Sequence, residues 1–381
     1  MRHNSNPVKI ILSGYYGFGN AGDEALLYSI IDALYKEIDQ EIEITVLSNC
    51  PEQTEKTFQV KAVNRWHLFS VIKAIRESEL FISGGGSLLQ DVTGPRSIIY
   101  YLGVVGIALL FNIPTFFYSH GIGPVNGTIG KKLIPLIANR VKSITVRDEK
   151  SKNLLEEMGV RKPVISVTAD PVMGVDRTKI DLDTGKKILN VHRPAVGLAL
   201  RNWMGFPELV PDLAKWCEQL LKQGYEVVFI PFHTPQDMEI NRLVASQVSG
   251  SRCKVLEGGY SPMEYFSIVG NLHFLTGMRL HALIMAGVMG VPMAGIAYDP
   301  KVSAYLEQVH QPAAASLLNP CAGKKRKGER EKEQVLSNLN NAFDRRRELQ
   351  ENVKYFSAML ARQAREAAVL AAHQVNLNKS N

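Results

Sequence analysis

Cysteine is scarce in this chain. Four residues, Cys50, Cys217, Cys253 and Cys321, are scattered through 381 positions with no CxxC pair among them. That pattern argues against a structural zinc site and against a disulfide framework. Long apolar runs are missing too. No stretch approaches the roughly 20 apolar residues of a membrane span. The apolar part of the opening MRHNSNPVKIILSG is too short for the core of a secretory signal. The expectation is a cytosolic protein, with contact at the inner membrane surface open to it. The GK[ST] of a P-loop, HExxH, GxSxG and the kinase set are also absent. No heptad or solenoid period runs through the chain. The basic residues are scattered rather than interleaved with aromatics, so nucleic acid is not expected as a partner.

What is present is an ordinary globular composition, 45% hydrophobic and 21% charged. The length suffices for two domains with full cores. A formal net charge of +7 suits anionic partners, phosphorylated substrates and acidic lipids among them.

Short β-rich runs alternate with helical stretches, and the runs end in glycine or in charged residues. Residues 8–13 lead into GYYGFGNAG (14–22), then Asp23 and Glu24 at the head of a helix over 25–38. A glycine-rich turn there lets backbone approach a ligand and aims N–H groups at it. Asp23 and Glu24 either complement the helix dipole or act on a substrate hydroxyl. Residues 80–83 end in Gly84, Gly85 and Gly86, followed by SLLQD to Asp91. Three glycines in a row imply a tight turn or a close ligand. Residues 97–111 are apolar nearly all round and read as a buried helix. Residues 114–119 run into His120, Gly121, Ile122, Gly123 and Pro124, and His120 reads as a hydrogen-bonded structural residue before a catalyst. Residues 143–146 end at Arg147 and Asp148, which are read either as a surface ion pair or as part of a site. Residues 164–167 end in Thr168, Ala169 and Asp170.

A polar stretch over 177–193 reads as an interdomain linker. The alternation then restarts with a strand at 195–200, ending at Arg201, Asn202 and Trp203. It continues through 207–222, 226–230, 237–248, 253–256 and 262–270 to the stretch 276–302, TGMRLHALIMAGVMGVPMAGIAYDPKV. Here Arg279 and His281 fall where a helix begins, just past a strand, and Lys301 falls past the next strand. Ligands of open α/β sheets bind at that edge, and helix N-termini favour anions. The expected ligand carries phosphate, carboxylate or both. Residues 2 apart on a helix do not share a face, so Arg279 and His281 converge only if Arg279 is still in the turn. The charged run over 323–333, GKKRKGEREKE, reads as a solvated segment, with a lipid-facing patch as the lesser reading. Residues 337–371 are strongly helix-forming and read as a long closing helix or helix pair.

Two successive βα series imply two doubly wound, Rossmann-like domains facing across a cleft, an α/β plan of the GT-B kind. The expected boundaries are 1–176 for the first domain and 195–322 for the second, with a linker over 177–194 and closing helices over 323–381.

Seven segments stand in one order: GYYGFGNAGDEALL (14–27), GGGSLLQD (84–91), GIGPV (121–125), RDEKS (147–151), TADPV (168–172), MRLHALI (278–284) and YDPKV (298–302). Together they resemble the polysaccharide pyruvyl transferases, in particular the bacterial cell-wall subgroup. His120 departs from the pattern, because an amide side chain is expected ahead of GIGP. The resemblance implies transfer of the enolpyruvyl unit of phosphoenolpyruvate to two sugar hydroxyls as a cyclic ketal, with release of phosphate. In that subgroup the acceptor is an N-acetylmannosamine-containing disaccharide on a polyprenyl diphosphate, and the product helps anchor surface-layer proteins. By the same resemblance Arg147, Arg279, His281 and Lys301 form the phosphoenolpyruvate site. His281 and Arg279, with Asp23 and Asp148, are the catalytic candidates; Glu24 and Asp170 compete as the carboxylate base. Gly19, Asn20, Glu24 and Gly85 are placed on the acceptor side, with Gly86, Asp91, Gly121 and Asp170. Phosphoenolpyruvate is a co-substrate, and no cofactor or metal is expected. A GT-B glycosyltransferase using a nucleotide sugar stays open as the alternative.

Overall fold

Strands form where apolar and β-branched residues fill most positions, and a parallel sheet covered on both faces accounts for that pattern. The computed structural model describes residues 6–92, 94–250, 252–318 and 334–377. The described chain packs as two units. Unit 1 holds the chain up to Phe18, Asp23–Val175 and the closing helix from Leu360 onward; unit 2 holds Gly19–Gly22 and Asp176–Met359.

Unit 1 is built on β1 (Val8–Tyr16), β2 (Ile42–Ser48), β3 (Lys61–Asn64) and β4 (Leu80–Ser83), then β5 (Gly86–Leu89), β6 (Thr115–Ile122), β7 (Ser143–Val146) and β8 (Val164–Val167). The order is β3-β2-β1-β4-β6-β7-β8, with β5 paired to β6, and the pairings are parallel. Alternation along β1 divides the core. Ile10 and Leu12 join Leu27 and Ile30 of the helix Ala21–Glu37, and Ala367 and Ala371 of the closing helix. Ile11 points the other way, toward Phe81, Phe117 and helices on the opposite face. A slip of one residue would exchange the two faces, so burial on both sides pins the register.

Unit 2 repeats the plan with β9 (Ala195–Ala199), β10 (Glu226–Phe229), β11 (Cys253–Val255), β12 (Leu272–Gly277), β13 (Met293–Ala297) and β14 (Ala313–Ser316). Its order is β11-β10-β9-β12-β13-β14, again parallel. Both sheets reverse direction beside their first strand, between β1 and β4 and between β9 and β12. The crevice at such a switch point is where α/β sheets bind ligands. The helix Leu280–Met289 leaves that point in unit 2, is buried along most of its length, and is stopped by Gly290 at φ 70°.

Several expectations need correction. Residues 177–193 are more than a linker. They contain a 3-10 turn, Arg177–Lys179, and a helix, Leu182–Leu189. That helix packs on the helix Pro262–Gly270 through Gly185, whose amide donates to Ser267 Oγ at 2.6 Å. A polar outer face hid its short inner stripe of Gly185, Ile188 and Leu189. The helix Arg96–Leu110, expected to be buried, leaves Ile99 and Leu110 exposed. The closing segment, expected as a long helix or helix pair, is a pair, Val335–Asp344 and Arg346–Leu377, and the second contributes to both units. Gly19 and Asn20, expected with the first domain, pack with unit 2. The basic run over 323–333 lies outside the described residues.

Candidate functional site

In unit 2 the carboxyl edge of the sheet carries three of the four expected cationic or cation-capable residues, Arg279, His281 and Lys301; Arg147 belongs to unit 1. Arg279 caps the helix Leu280–Met289 in an extended conformation, φ −70° and ψ 115°, so it is still in the turn while His281 is in the first helical turn. This is the condition under which the two can converge. The main-chain N–H of Met278 donates to Ala199 O at 2.9 Å, tying the turn to the end of β9.

The Arg279 guanidinium forks onto Asp237: Nε donates to Oδ2 at 2.9 Å and Nη2 to Oδ1. Asp237 is 1% exposed, and the amides of Phe232 and His233 also donate to its Oδ2. A buried carboxylate so supplied fixes the arginine's position and leaves the rest of its fork for a ligand. Asp237 was not expected in the site. Nothing local marks it, because its partner lies on another βα unit.

The Gly19–Gly22 segment completes this edge. Asn20 forms an isolated antiparallel bridge with His233, and Ala21 N–H donates to Phe232 O at 2.8 Å. A Cβ on Gly22 would stand 2.2 Å from His281 Nδ1. The imidazole therefore lies directly against glycine backbone, and no other residue fits there.

Lys301 sits in the first turn of the helix Pro300–Gln308, with Nζ 3.3 Å from Asp299 Oδ2 and 6.0 Å from the Tyr298 ring. Arg201, just past β9, donates to Tyr298 Oη at 3.0 Å and lies 5.0 Å from the rings of both Trp203 and Tyr298. Arg201 was noted only as a strand end. Its position on the neighbouring strand's edge makes it a fourth cationic or cation-capable group here. Against Arg279, His281, Lys301 and Arg201 stand the carboxylates Asp237 and Asp299, so the balance favours an anion.

Unit 1 has the opposite balance. Arg147 follows β7, is 9% exposed, and its N–H donates to His120 O at 3.1 Å. Its Nη2 donates to Ser87 Oγ at 3.2 Å; Asp148 lies 3.5 Å from Nε and Asp170 3.7 Å from Nη1. A Cβ on Gly121 would stand 2.4 Å from its Cζ. Two carboxylates thus share one buried guanidinium, and the pair is no exposed surface bridge. Both also cap: Asp148 accepts from Ser151 N–H and Asp170 from Val172 N–H.

Glu24 Oε1 accepts from Gly17 N–H at 2.8 Å. Burial pushes its carboxyl up to about 7, against the pull of the Gly17 amide and with the Asp23 charge adding to the rise. A carboxyl poised there can give or take a proton near neutrality. Gly86 opens β5 at φ 93° with Asp23 beside it, and Gly85 lies against Leu26 and Pro171. Asp91 is engaged in holding a turn: it accepts from the amides of Asn126 and Gly127 at 2.9 and 2.6 Å. His120 is structural, as its ordinary reading had it. It is fully buried, its Nε2 lies 3.0 Å from Ser83 O, and its ring stacks on Phe117. Burial pushes its pKa down to about 4.

A family model described as polysaccharide pyruvyl transferase matches residues 20–300. The amylovoran biosynthesis protein AmsJ of Erwinia amylovora is 23% identical over 369 residues, covering 81% of this chain and 88% of that protein. Among solved structures, a putative UDP-N-acetylglucosamine 2-epimerase from Listeria monocytogenes superposes with a TM-score of 0.64 at 14% identity, covering 97% of this chain and 94% of that one. Anabaena HepE, in complex with UDP and glucose, superposes with a TM-score of 0.61 at 13% identity, covering 98% and 99%. At these identities the likeness concerns the fold alone, two Rossmann-like sheets of the GT-B type.

Proposed function

We propose a reaction from one premise: the chain belongs to the polysaccharide pyruvyl transferase family, and it is a transferase. It takes the enolpyruvyl unit of phosphoenolpyruvate and closes it as a cyclic ketal across two hydroxyls of a sugar. The observation that carries the donor assignment is the cationic edge of unit 2, where Arg279 and His281 open a helix at the switch point. The carboxylate and phosphate of phosphoenolpyruvate suit arginine forks and the helix N-terminus. Arg279, His281 and Lys301 hold them, and Arg147 is assigned to the same substrate.

One hydroxyl adds to the enol carbon while the methylene takes a proton. The C–O bond to phosphate then breaks, the second hydroxyl closes the ketal, and its proton leaves with the phosphate. His281 is suited to pass a proton at the phosphate. The carboxylates of unit 1 are suited to the hydroxyls, with Asp23, Asp148 and Glu24 as the base candidates. Gly19, Asn20, Gly85, Gly86, Asp91, Gly121 and Asp170 are kept on the acceptor side. The capping contacts of Asp91 and Asp170 favour support over direct contact. The acceptor is a polysaccharide precursor. The finer assignment is an N-acetylmannosamine-containing disaccharide on polyprenyl diphosphate, used for a wall polymer that anchors a surface layer; it rests on the ordered motifs.

The test is phosphate release from phosphoenolpyruvate with a synthetic lipid-diphosphate disaccharide, read beside product mass. Acceptor-dependent phosphate with a mass gain matching ketalisation supports the reading. Stabilisation by UDP and none by phosphoenolpyruvate would move the chain to the nucleotide-sugar alternative.

A further inference from the structure

Three neighbouring helices lie side by side on one face of the unit 1 sheet, Leu68–Arg76, Arg96–Leu110 and Thr128–Ala138, and a fourth, Glu149–Glu157, adds Leu155 to the same core. Ile75, Ile98, Val105 and Ile134 of the first three point into that core. The outward sides of these three lack the usual polar stripe. Phe69 is 81% exposed, Leu110 75% and Leu136 63%, and Trp66, in the turn before the first helix, is 62% exposed. Single exposed apolar residues are ordinary, but these recur on regular stripes. Exposed positions on the second helix are Arg96, Ile99, Gly103 and Leu110; on the third they include Ile129, Lys132 and Leu136. Both series have the spacing of one helix face. Neighbouring elements are joined across the surface: the Trp66 ring lies 5.4 Å from Tyr100, and Arg76 lies 5.4 Å from the Phe111 ring.

Charge on these three helices has one sign. The three helices carry Lys73, Arg76, Arg96, Lys131 and Lys132 and not one Asp or Glu, in a chain with 37 carboxylates. The helix Ala21–Glu37 on the opposite face holds Asp23, Glu24, Asp32 and Glu37. Of the bordering acids, Asp91 is taken up by the Asn126 and Gly127 amides, Glu77 stands at the end of the first helix, and Glu149, Glu156 and Glu157 belong to the fourth helix, beside Lys150 and Lys152.

We propose that this face seats on an anionic lipid bilayer. Phe69, Leu110, Leu136 and the Trp66 ring enter the headgroup region, and the cations meet lipid phosphate. The Trp66 indole N–H is satisfied by Asn49 Oδ1 at 2.8 Å, which leaves its ring face for the interface. Aliphatic tips set among cations match a surface that is anionic outside and apolar beneath. A nucleic acid offers phosphate but nothing for Leu110 or Leu136. The inference stands apart from the reaction proposed above, since it concerns binding to lipid alone.

The full chain is floated with vesicles of phosphatidylcholine, alone or mixed with phosphatidylglycerol, and tryptophan emission is recorded. The expected result is binding to the anionic vesicles only, weaker in high salt, with a blue shift that disappears in Trp66→Phe. Phe69→Ser with Leu110→Ser, and separately Lys73→Glu with Lys132→Glu, should each weaken binding about tenfold or more. Absence of binding by the unaltered chain overturns the proposal, as does binding that neither pair weakens. So does a self-association in sedimentation that the serine pair abolishes, which would make the occupant a second copy. If the serine pair fails to melt cooperatively, the charge-reversed pair decides.

Discussion

The two units use the same device, an arginine just past a strand at the carboxyl edge of a parallel sheet, in opposite electrical settings. Arg279 in unit 2 is forked onto a single carboxylate, Asp237, among other cationic groups. Arg147 in unit 1 lies between Asp148 and Asp170, neither at hydrogen-bond distance, and donates to Ser87. The contrast teaches that position just past a strand end is not enough to make an anion site. The charge around the arginine differs between the two, and the proposed donor site rests on the cationic surplus in unit 2.

The largest expected effect breaks the fork. Arg279→Ala strands a buried carboxylate, so we expect about 3–5 kcal/mol of lost stability and a loss of roughly 10³ in kcat/KM. Urea denaturation and phosphate release measure the two. Arg147→Ala should cost less in stability, since neither of its carboxylates lies at hydrogen-bond distance from the guanidinium. Equal stability losses would remove the distinction between the two settings.

Next comes pH, which should act through unit 1. Glu24 titrates near 7 when folded and near 4.5 as a free group. The folded state therefore holds a proton the unfolded chain releases, and stability falls as pH rises between those values. His120 titrates near 4 when folded against 6.5 free. There the unfolded chain holds the extra proton, so stability rises with pH between 4 and 6.5. Each slope amounts to about 3 kcal/mol over its window, and in the intact chain they oppose each other. Glu24→Gln should unmask the rise and His120→Gln the fall in melts across that range. Variants with flat profiles would show that neither burial is felt.

A smaller effect separates the halves by space alone. Gly22→Ala puts a methyl into the His281 ring, close to its stem, and should cost about 100-fold in activity. Gly121→Ala meets only the flexible end of Arg147, and about tenfold is expected. Steady-state kinetics on both decides; the reverse order would make Arg147 the more closely positioned group.

Much of this was legible in the sequence. Strand ends with Gly, Arg or Asp marked the sheet edges, because periodicity and turn chemistry are local. Arg279 and His281 were placed at a helix start for that reason. Asp237 was invisible: its partner is on a different βα unit, and only packing brings them together. Residues 177–193 were misread because a helix of 8 residues with a polar outer face shows little periodicity. The helix Arg96–Leu110 was misread for the opposite reason. Apolarity on all sides implied burial on all sides, and the structure leaves one side uncovered.

The sequence by itself determined the βα alternation, the doubly wound class and the ordered motifs, since each depends on residues within one or two turns of chain. Tertiary structure decided which carboxylate holds Arg279, that Gly22 makes room for His281, and that Gly19–Gly22 packs with unit 2. It also decided which helix faces stay bare. Those outcomes depend on groups far apart in the chain meeting at fixed distances, and no local pattern encodes a distance between remote residues.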